Sequence, residues 1–196
     1  MMLAKKPQPR VNERIASRVS EMRAARGMSL EALAERSGVS RSMISLIERG
    51  ETSATAVVLE KLAAGLDVAL AALFEASDEA SSPVTRRAEQ AVWRDPGSGY
   101  VRRNVSPGGR ITPIQIVEVE FPAGAQVAYE SGGRKPAIHH QVWVLAGAIE
   151  VTVGTDRHAL AAGDCLAVTL DRPTAYRNRT RKPARYAVVM VAGHAG

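Results

Sequence analysis

The chain has 196 residues, of which 45% are hydrophobic, and a formal net charge of +6 at pH 7. This length accommodates two small folded domains, and the basic balance favours polyanionic partners such as nucleic acid. The single cysteine, Cys165, excludes an internal disulfide and a CxxC metal site. Because no run approaches the roughly 18 apolar residues of a membrane helix and no secretory leader is recognisable, we expect a cytoplasmic protein with no membrane partner.

The first third of the chain has the apolar spacing of helices. Ile15, Val19 and Met22 recur at intervals of four and three residues, which places them on one helical face. Five helices are predicted, over residues 12–25, 30–37, 41–48, 55–65 and 69–75. The preceding residues, 1–11, are basic and contain two prolines, and we expect them to form a disordered N-terminal arm.

Residues 29–50 carry the pattern of two short helices joined by a tight turn. Gly38 suits the left-handed backbone that such a turn needs, and Ser40 is a favourable first cap for the next helix. Val39, Ile44 and Ile47 would form the shared core of the pair. Small polar and basic side chains are then left to project outward, which is typical of a helix that enters the major groove of DNA. These side chains are Ser40, Arg41, Ser42, Ser45 and Arg49.

Residues from about Asn12 to Phe74 resemble an XRE-type (lambda-repressor-like) helix-turn-helix domain. The matching pieces are Leu33-Ala34, Gly38-Val39-Ser40, Ile44-Ser45 and the run from Ile47 to Gly50. The resemblance implies that residues 41–48 form the recognition helix, in which Arg41 is the best candidate for a bidentate contact to guanine. Phosphate contacts that set the register without reading sequence are expected from Arg18, Arg23, Thr52 and Thr55. Many family members have Gln where this chain has Leu30.

The pattern of apolar and polar residues changes after residue 75. Residues 76–90 are small and polar without periodicity, which predicts a linker. Beyond them, alternation and β-branched residues predict strands over 114–121, 141–145, 148–153 and 184–191. Glycine and proline punctuate these strands, which favours a closed or sandwiched all-β domain. Cys165 is expected to pack there as a small apolar residue.

The β half resembles a bacterial cupin, a small double-stranded β-helix barrel. The matching segments are Val144–Gly147, Val151–Gly154, Leu160–Asp164 and Asp171–Asn178. The expected architecture is therefore an all-α head over residues 12–75, a linker over 76–90 and an all-β barrel over 91–196.

A catalytic cupin usually holds a divalent metal with three histidines and one glutamate. The histidine of the second motif falls at Thr174 in this chain. In the first motif, counting back from Gly147 places the family's glutamate at His140; counting from Gly133 makes His139 the first histidine and puts Gln141 at the second. Since at most one or two of the four ligands remain under either alignment, we expect no metal, no cofactor and no catalytic residue.

Adjacent residues on a strand point to opposite faces, so His139 and His140 cannot readily reach one interior ion. We expect one of the pair inside the barrel, where it would help to bind a small organic ligand in an apolar pocket with a few polar groups. Trp143 and Tyr176 are equally suited to this pocket and to an alternative place in the core or in a dimer interface. The candidate ligand-binding residues are Tyr129, His139, His140, Gln141, Trp143, Thr174 and Tyr176.

Together these features predict a one-component transcription regulator whose head binds operator DNA and whose barrel binds a small effector. One recognition helix reads too few bases for specificity, so we expect a homodimer on a palindrome with half-sites about 34 Å apart. An alternative is a metal-dependent cupin enzyme with a helix-turn-helix appendage, a layout that some metal-dependent epoxidases resemble. A third possibility is a barrel that only dimerises the heads.

Overall fold

The computed structural model describes residues 8–74, 82–107, 114–130 and 138–192. The helices come first: α1 (Gln8–Ala25), α2 (Leu30–Ser37), α3 (Arg41–Glu48), α4 (Ala56–Gly65) and a short 3-10 helix (Leu70–Phe74). The predicted helices are confirmed to within a residue, apart from the start of the first. The expectation of a disordered arm up to residue 11 is wrong for residues 8–11, which form the first turn of α1, and residues 1–7 lie outside the described part. None of the described helices is both long enough and apolar enough to cross a membrane.

The turn between α2 and α3 has the geometry that its residue types demand. Ser29 caps α2 by accepting a hydrogen bond from the backbone N–H of Ala32 at 3.1 Å. Gly38 ends that helix with φ = 67°, a left-handed conformation that glycine adopts without a side-chain clash. Ser40 then caps α3, since its hydroxyl accepts from the Met43 N–H at 3.3 Å. Glycine and serine therefore fix both helix ends, as the sequence predicts.

The core of the head holds the two short helices against α1 and α4. Ile44 and Leu33 are completely buried, and Val39 and Ile47 are nearly so, which confirms the predicted core. Gly65 at the end of α4 allows the closest contact, because a Cβ atom there would lie 2.9 Å from the Cβ of Ser37. Any larger residue would push α4 away from α2.

Ten strands follow in the described part of the chain and form two antiparallel sheets. In chain order they are β1 (Val92–Arg94), β2 (Val101–Asn104), β3 (Ile114–Phe121), β4 (Gln126–Tyr129), β5 (Ile138–Ala146), β6 (Ala148–Val153), β7 (Asp156–Ala161), β8 (Cys165–Thr169), β9 (Thr174–Arg177) and β10 (Ala184–Ala192). The larger sheet has the order β1-β2-β3-β10-β5-β8, and the smaller has the order β4-β9-β6-β7. The four predicted strands correspond to β3, β5, β6 and β10. The all-β class is confirmed.

One buried amide joins the two sheets at the end of β9. Asn178 has no exposed surface, and its Nδ2 donates to the carbonyl of Phe121 at 3.2 Å and to that of Lys182 at 2.8 Å. Its Oδ1 accepts from the N–H of Thr180 at 2.9 Å. Full satisfaction of the amide explains how so polar a group is buried without penalty.

The helical head and the barrel share one continuous hydrophobic core. Phe74, the last residue of the 3-10 helix, packs edge-on against Trp93 of β1 with ring centroids 5.4 Å apart. Trp93 in turn contacts Tyr100, whose ring centroid lies 5.8 Å away, and is only 2% exposed. Part of the expected linker, residues 76–81, lies outside the described residues, as does residue 75 of the expected head. Because of this aromatic contact, the head packs against the barrel and is not joined to it by the linker alone.

Asp95 adds a polar link across the same boundary. This side chain follows β1, is 3% exposed, and accepts a hydrogen bond from the N–H of Ala56, the first residue of α4, at 2.8 Å. Its other oxygen accepts from the N–H and the hydroxyl of Ser98 at 2.7 Å and 2.6 Å. A carboxylate at a helix N-terminus satisfies a free N–H group and interacts favourably with the helix dipole.

We predict that Asp95→Ala lowers the free energy of unfolding by about 1–3 kcal/mol, because it leaves the buried N–H groups of Ala56 and Ser98 without an acceptor. Urea unfolding followed by circular dichroism measures this loss. Glu130→Ala is the matched control: Glu130 also faces the head, 3.9 Å from Lys61, but its side chain is 83% exposed. Its removal should change stability by less than about 0.5 kcal/mol. Equal effects of the two variants would show that Asp95 does not link head and barrel.

Candidate functional site

The N-terminal end of α3 presents the side chains predicted to contact DNA. Ser40, Arg41 and Ser42 are all exposed, while Ile44 and Ile47 on the opposite face are buried. Arg41 pairs with Glu31 of α2, but both side chains are largely exposed, at 66% and 59%. An ion pair in water contributes little, so Arg41 can exchange Glu31 for another anion at small cost.

Two predicted contacts at the other end of α3 bind to each other. Arg49 donates to the hydroxyl of Ser45 and also holds Glu51 with its Nε and Nη2 at 2.7 and 2.9 Å. These groups are exposed or half-buried, and Thr52 lies half-buried in the loop that follows. They form a polar border beside the recognition helix.

Arg23, predicted as a phosphate contact, has a different position. Its guanidinium bridges α1 and α3, with Nε and Nη2 donating to the two carboxylate oxygens of Glu48 at 2.7 and 2.8 Å. The remaining Nη1 donates to the carbonyl of Met28 at 2.8 Å, and both partners of the ion pair are largely buried. Glu48 raises the pKa of Arg23, and the largest cause is this hydrogen bonding. In this arrangement three of the five N–H donors of Arg23 are engaged within the head, and the guanidinium ties α3 to α1.

The other two predicted phosphate contacts also differ from each other. Arg18 lies on α1 with a side chain 20% exposed and reaches Glu21 at 3.4 Å. Thr55 is the N-cap of α4 and accepts from the Val58 N–H at 3.4 Å. The Thr55 methyl lies 3.5 Å from where a Cβ on Gly97 would stand. Thr55 therefore lies against the barrel.

The barrel contains a cavity of about 80 Å³ that opens to solvent. Four predicted ligand-binding residues, Tyr129, His140, Thr174 and Tyr176, line it. The head closes part of its wall through three residues: Glu60 of α4, and Ala69 and Leu70 at the 3-10 helix. The cavity is therefore shared between the two halves of the chain.

The remaining predicted ligand-binding residues do not reach the cavity. His139, Gln141 and Trp143 alternate with His140 and Val142 along β5 and lie on its exposed outer face. Trp143 is 50% exposed, and Cys165, its cross-strand partner on β8, is exposed as well. The expectation that Cys165 is packed away is therefore wrong.

His140 lies in a part of the cavity where apolar side chains surround it and the positive charge of Arg102 is nearby. Its two ring nitrogens are buried and have no hydrogen-bond partner. Burial, together with the nearby charge of Arg102, lowers the pKa of His140 to about 4. The imidazole is therefore neutral at physiological pH.

Hydroxyl groups and one guanidinium complete the polar part of the cavity. The hydroxyls of Tyr100 and Tyr129 lie 3.3 Å apart, and the rings of Tyr176 and Tyr186 stack with centroids separated by 5.9 Å. Burial raises the pKa of all four tyrosines, so they remain protonated hydrogen-bond donors. Arg102, on β2, is 7% exposed. No residue pattern in the sequence points to Tyr186, and the pair Arg102-Arg103 is compatible both with attraction of an anionic effector or DNA and with ordinary surface charge.

A catalytic metal does not fit the described residues. His140 supplies one imidazole, Thr174 donates its hydroxyl to the carbonyl of Arg172 at 3.2 Å, and His139 points away from the cavity. Within the described ranges, no three His, Cys, Asp or Glu side chains are grouped as metal ligands would be. A cation beside Arg102 would also be repelled.

Comparisons with known proteins agree with this division of the chain. Residues 19–73 match the helix-turn-helix family HTH_3, and residues 119–191 match the Cupin_2 family. The HTH-type transcriptional regulator SutR of Escherichia coli is 27% identical over 164 residues, which cover 84% of this chain and 86% of SutR. SinR of Bacillus licheniformis, also an HTH-type transcriptional regulator, is 41% identical over 66 residues, 33% of this chain and 60% of SinR. The crystal structure of an HTH_3 family transcriptional regulator from Vibrio cholerae superposes with a TM-score of 0.76 at 27% identity, covering 95% of this chain and 99% of that one.

The buried His140 predicts a specific pH dependence of stability. Its pKa of about 4 lies below the ordinary value of 6.5, so on acidification the unfolded chain takes up a proton that the folded chain does not. Stability should therefore fall as the pH drops from 6.5 toward 4, by about 3 kcal/mol in total. His140→Gln should remove this part of the slope, measured as the difference from the unmodified chain in urea unfolding at each pH. His139→Gln, which changes the neighbouring outward histidine, should leave the slope intact. If both variants keep it, the neutral buried imidazole is not its source.

Proposed function

We propose that this chain, which resembles XRE-type helix-turn-helix regulators and has a C-terminal cupin domain, binds operator DNA as a homodimer and senses a small molecule in the barrel. The observation that carries the DNA-binding part is the geometry of α3. Its buried residues, Ile44 and Ile47, fix the helix to the head, so its exposed N-terminal end can be presented rigidly. The sensory part is carried by the cavity that head and barrel line together.

In the proposed complex, Ser40, Arg41 and Ser42 enter the major groove. The exposed guanidinium of Arg41 offers two parallel donors that match the N7 and O6 atoms of guanine. The polar border formed by Arg49 and Thr52, with Arg18 on α1, would hold phosphates on either side. Arg23 and Thr55 contribute indirectly, since one fixes α3 to α1 and the other begins α4.

We propose that an effector acts through the shared wall of the cavity. Glu60 belongs to α4, and α4 packs closely against α2 through Gly65. A ligand that fits better in one arrangement of head and barrel than in another shifts the population toward that arrangement. The spacing of two heads in a dimer would change with it, and so would operator affinity. We propose this sensory role rather than a catalytic one, because the cavity offers one neutral imidazole and no convergent donor set among the described residues.

The outer face of the larger sheet is the surface that we propose for the homodimer. Ile116 of β3 is 37% exposed and Trp143 of β5 is 50% exposed, and both point away from the cavity. Val189 of β10 stands beside Ile116 in the ladder and also faces outward. Apolar side chains on adjacent strands make an exposed patch of the kind that marks protein interfaces. A second copy is the occupant we favour, because a helix-turn-helix head reads a palindrome only as one of a symmetric pair.

Arg41→Ala should weaken binding to the operator by about 1–3 kcal/mol while changing affinity for random DNA much less. The reason is that the lost contact is to a base edge and not to the backbone. Fluorescence anisotropy with both duplexes at one salt concentration measures the two affinities. Arg157→Ala removes an equal charge from the exposed surface of β7 and should change neither. An equal loss on both duplexes for the Arg41 variant would show that Arg41 contacts only phosphate.

Trp143→Glu should convert a dimeric chain into a monomer, because two carboxylates would be buried face to face in the interface. Sedimentation velocity reports the mass, and operator affinity should fall at least about tenfold as the second half-site is lost. Val84→Glu is the control, since Val84 is also 50% exposed but lies outside the sheet. A dimer that survives the Trp143 substitution would place the interface elsewhere.

A further inference from the structure

Arg102 is a buried cation at the boundary between the head and the barrel. Its Nε donates to the Oδ1 of Asn104 at 3.2 Å, and its guanidinium carbon lies 4.8 Å from the centre of the Phe74 ring. These two contacts hold the plane of the guanidinium in one orientation. The Nη2 atom is completely buried and has no hydrogen-bond partner.

No carboxylate of the described residues lies within the 4.0 Å of the Arg102 guanidinium that an ion pair requires. Glu60 lines the same cavity from the head side but is engaged in a contact of its own. A buried guanidinium without a counter-ion is unfavourable, because it has lost water and gained little in return. Arg102 lines the cavity, so an anionic ligand bound there would offset the unfavourable burial of its guanidinium.

The groups around Arg102 are hydrogen-bond donors. The Tyr100 and Tyr129 hydroxyls form a pair beside it, and Tyr186 is a third tyrosine close to Arg102. His140 adds a neutral ring with two unpartnered nitrogens, one of which carries a proton. Donors that converge with a guanidinium in a water-poor pocket are suited to an oxyanion. Most of the remaining wall is apolar, with Val119, Val127, Leu170, Val188 and Met190, and Thr174 and Glu60 also line it.

We propose that the cavity binds a small molecule that has one oxyanion group, of the carboxylate type, on an apolar body, and that Arg102 is the anchor of the oxyanion. The inference rests on the proposed sensory function and gives its ligand a chemical class. The anionic group replaces the missing counter-ion of Arg102, and the apolar part fills the barrel behind it. Because Phe74 stacks on the same guanidinium and ends the 3-10 helix, the anchor lies in contact with the head.

The test compares matched acids and amides on the full-length chain. Hexanoate is paired with hexanamide and benzoate with benzamide, and inorganic phosphate serves as an oxyanion without an apolar body. Isothermal titration calorimetry should show that at least one of the acids binds at least about tenfold more tightly than its amide, since only the acid pairs with the cation. Arg102→Met should reduce the affinity for that acid about tenfold or more and leave the amide unchanged.

Arg103→Met is the matched control on the same strand. Arg103 is half-buried and donates to the carbonyl of Arg87 at 3.4 Å, outside the cavity, so its loss should not affect the acid. Equal binding of acid and amide, or no saturable binding of any acid, would overturn the proposal. So would undiminished binding of the acid by a folded Arg102 variant. The acid–amide comparison needs no variant and decides the matter even if Arg102→Met does not fold.

Operator affinity measured with and without the acid separates this inference from the proposed function. An acid that binds through Arg102 and changes operator affinity supports both. An acid that binds through Arg102 but leaves operator affinity unchanged supports the oxyanion site and contradicts the sensory role. Phosphate binding as tightly as the acids would show that the apolar wall takes no part, which overturns the ligand class proposed here.

Discussion

The contact between Phe74 and Trp93 is the feature on which the rest of the structure depends. It joins the last residue of the helical head to the first strand of the barrel and merges two small cores into one. A head of this size buries a modest apolar area, so it gains stability from a rigid neighbour. Asp95 reinforces the contact by capping α4 from the barrel side. The relative position of head and barrel is thus set by packing and by a directed hydrogen bond together.

The contact between the head and the barrel also determines which elements of the head can respond when the cavity is occupied. The barrel alone would surround a pocket remote from DNA, but here α4 and the 3-10 helix form part of the wall. In the proposed function, occupancy of the cavity is therefore felt directly by the elements that support α2 and α3. Arg102 stands at the centre of this arrangement, since it touches Phe74 on one side and the tyrosine cluster on the other. Burial keeps the tyrosines protonated and His140 neutral, so the guanidinium of Arg102 is the cation that lines the pocket.

Polar residues of the same type have different surroundings in the structure, and their charge alone does not indicate which of them is buried. Arg23 and Arg41 are both basic residues near α3, yet Arg23 is held by Glu48 and by a backbone carbonyl, and Arg41 is exposed on the surface. His139 and His140 are adjacent, yet one faces solvent and the other the cavity. In each pair, one side chain is largely buried within the protein and the other is exposed at its surface.

Features that depend on neighbouring residues follow from the amino-acid sequence alone. Gly38 and Ser40 specify the turn through backbone conformation and capping, and the alternation of residues 114–121 specifies β3, because these effects act within a few positions along the chain. The sequence also requires His139 and His140 to face opposite ways, since the side-chain period of a strand is two. Which histidine faces inward follows from the folded chain, because it depends on how β5 pairs with β10 and β8. The same holds for the Arg23–Glu48 pair, the Asp95 cap and the burial of Arg102, whose partners lie 25, 39 and 28 residues away and meet only when the chain has folded.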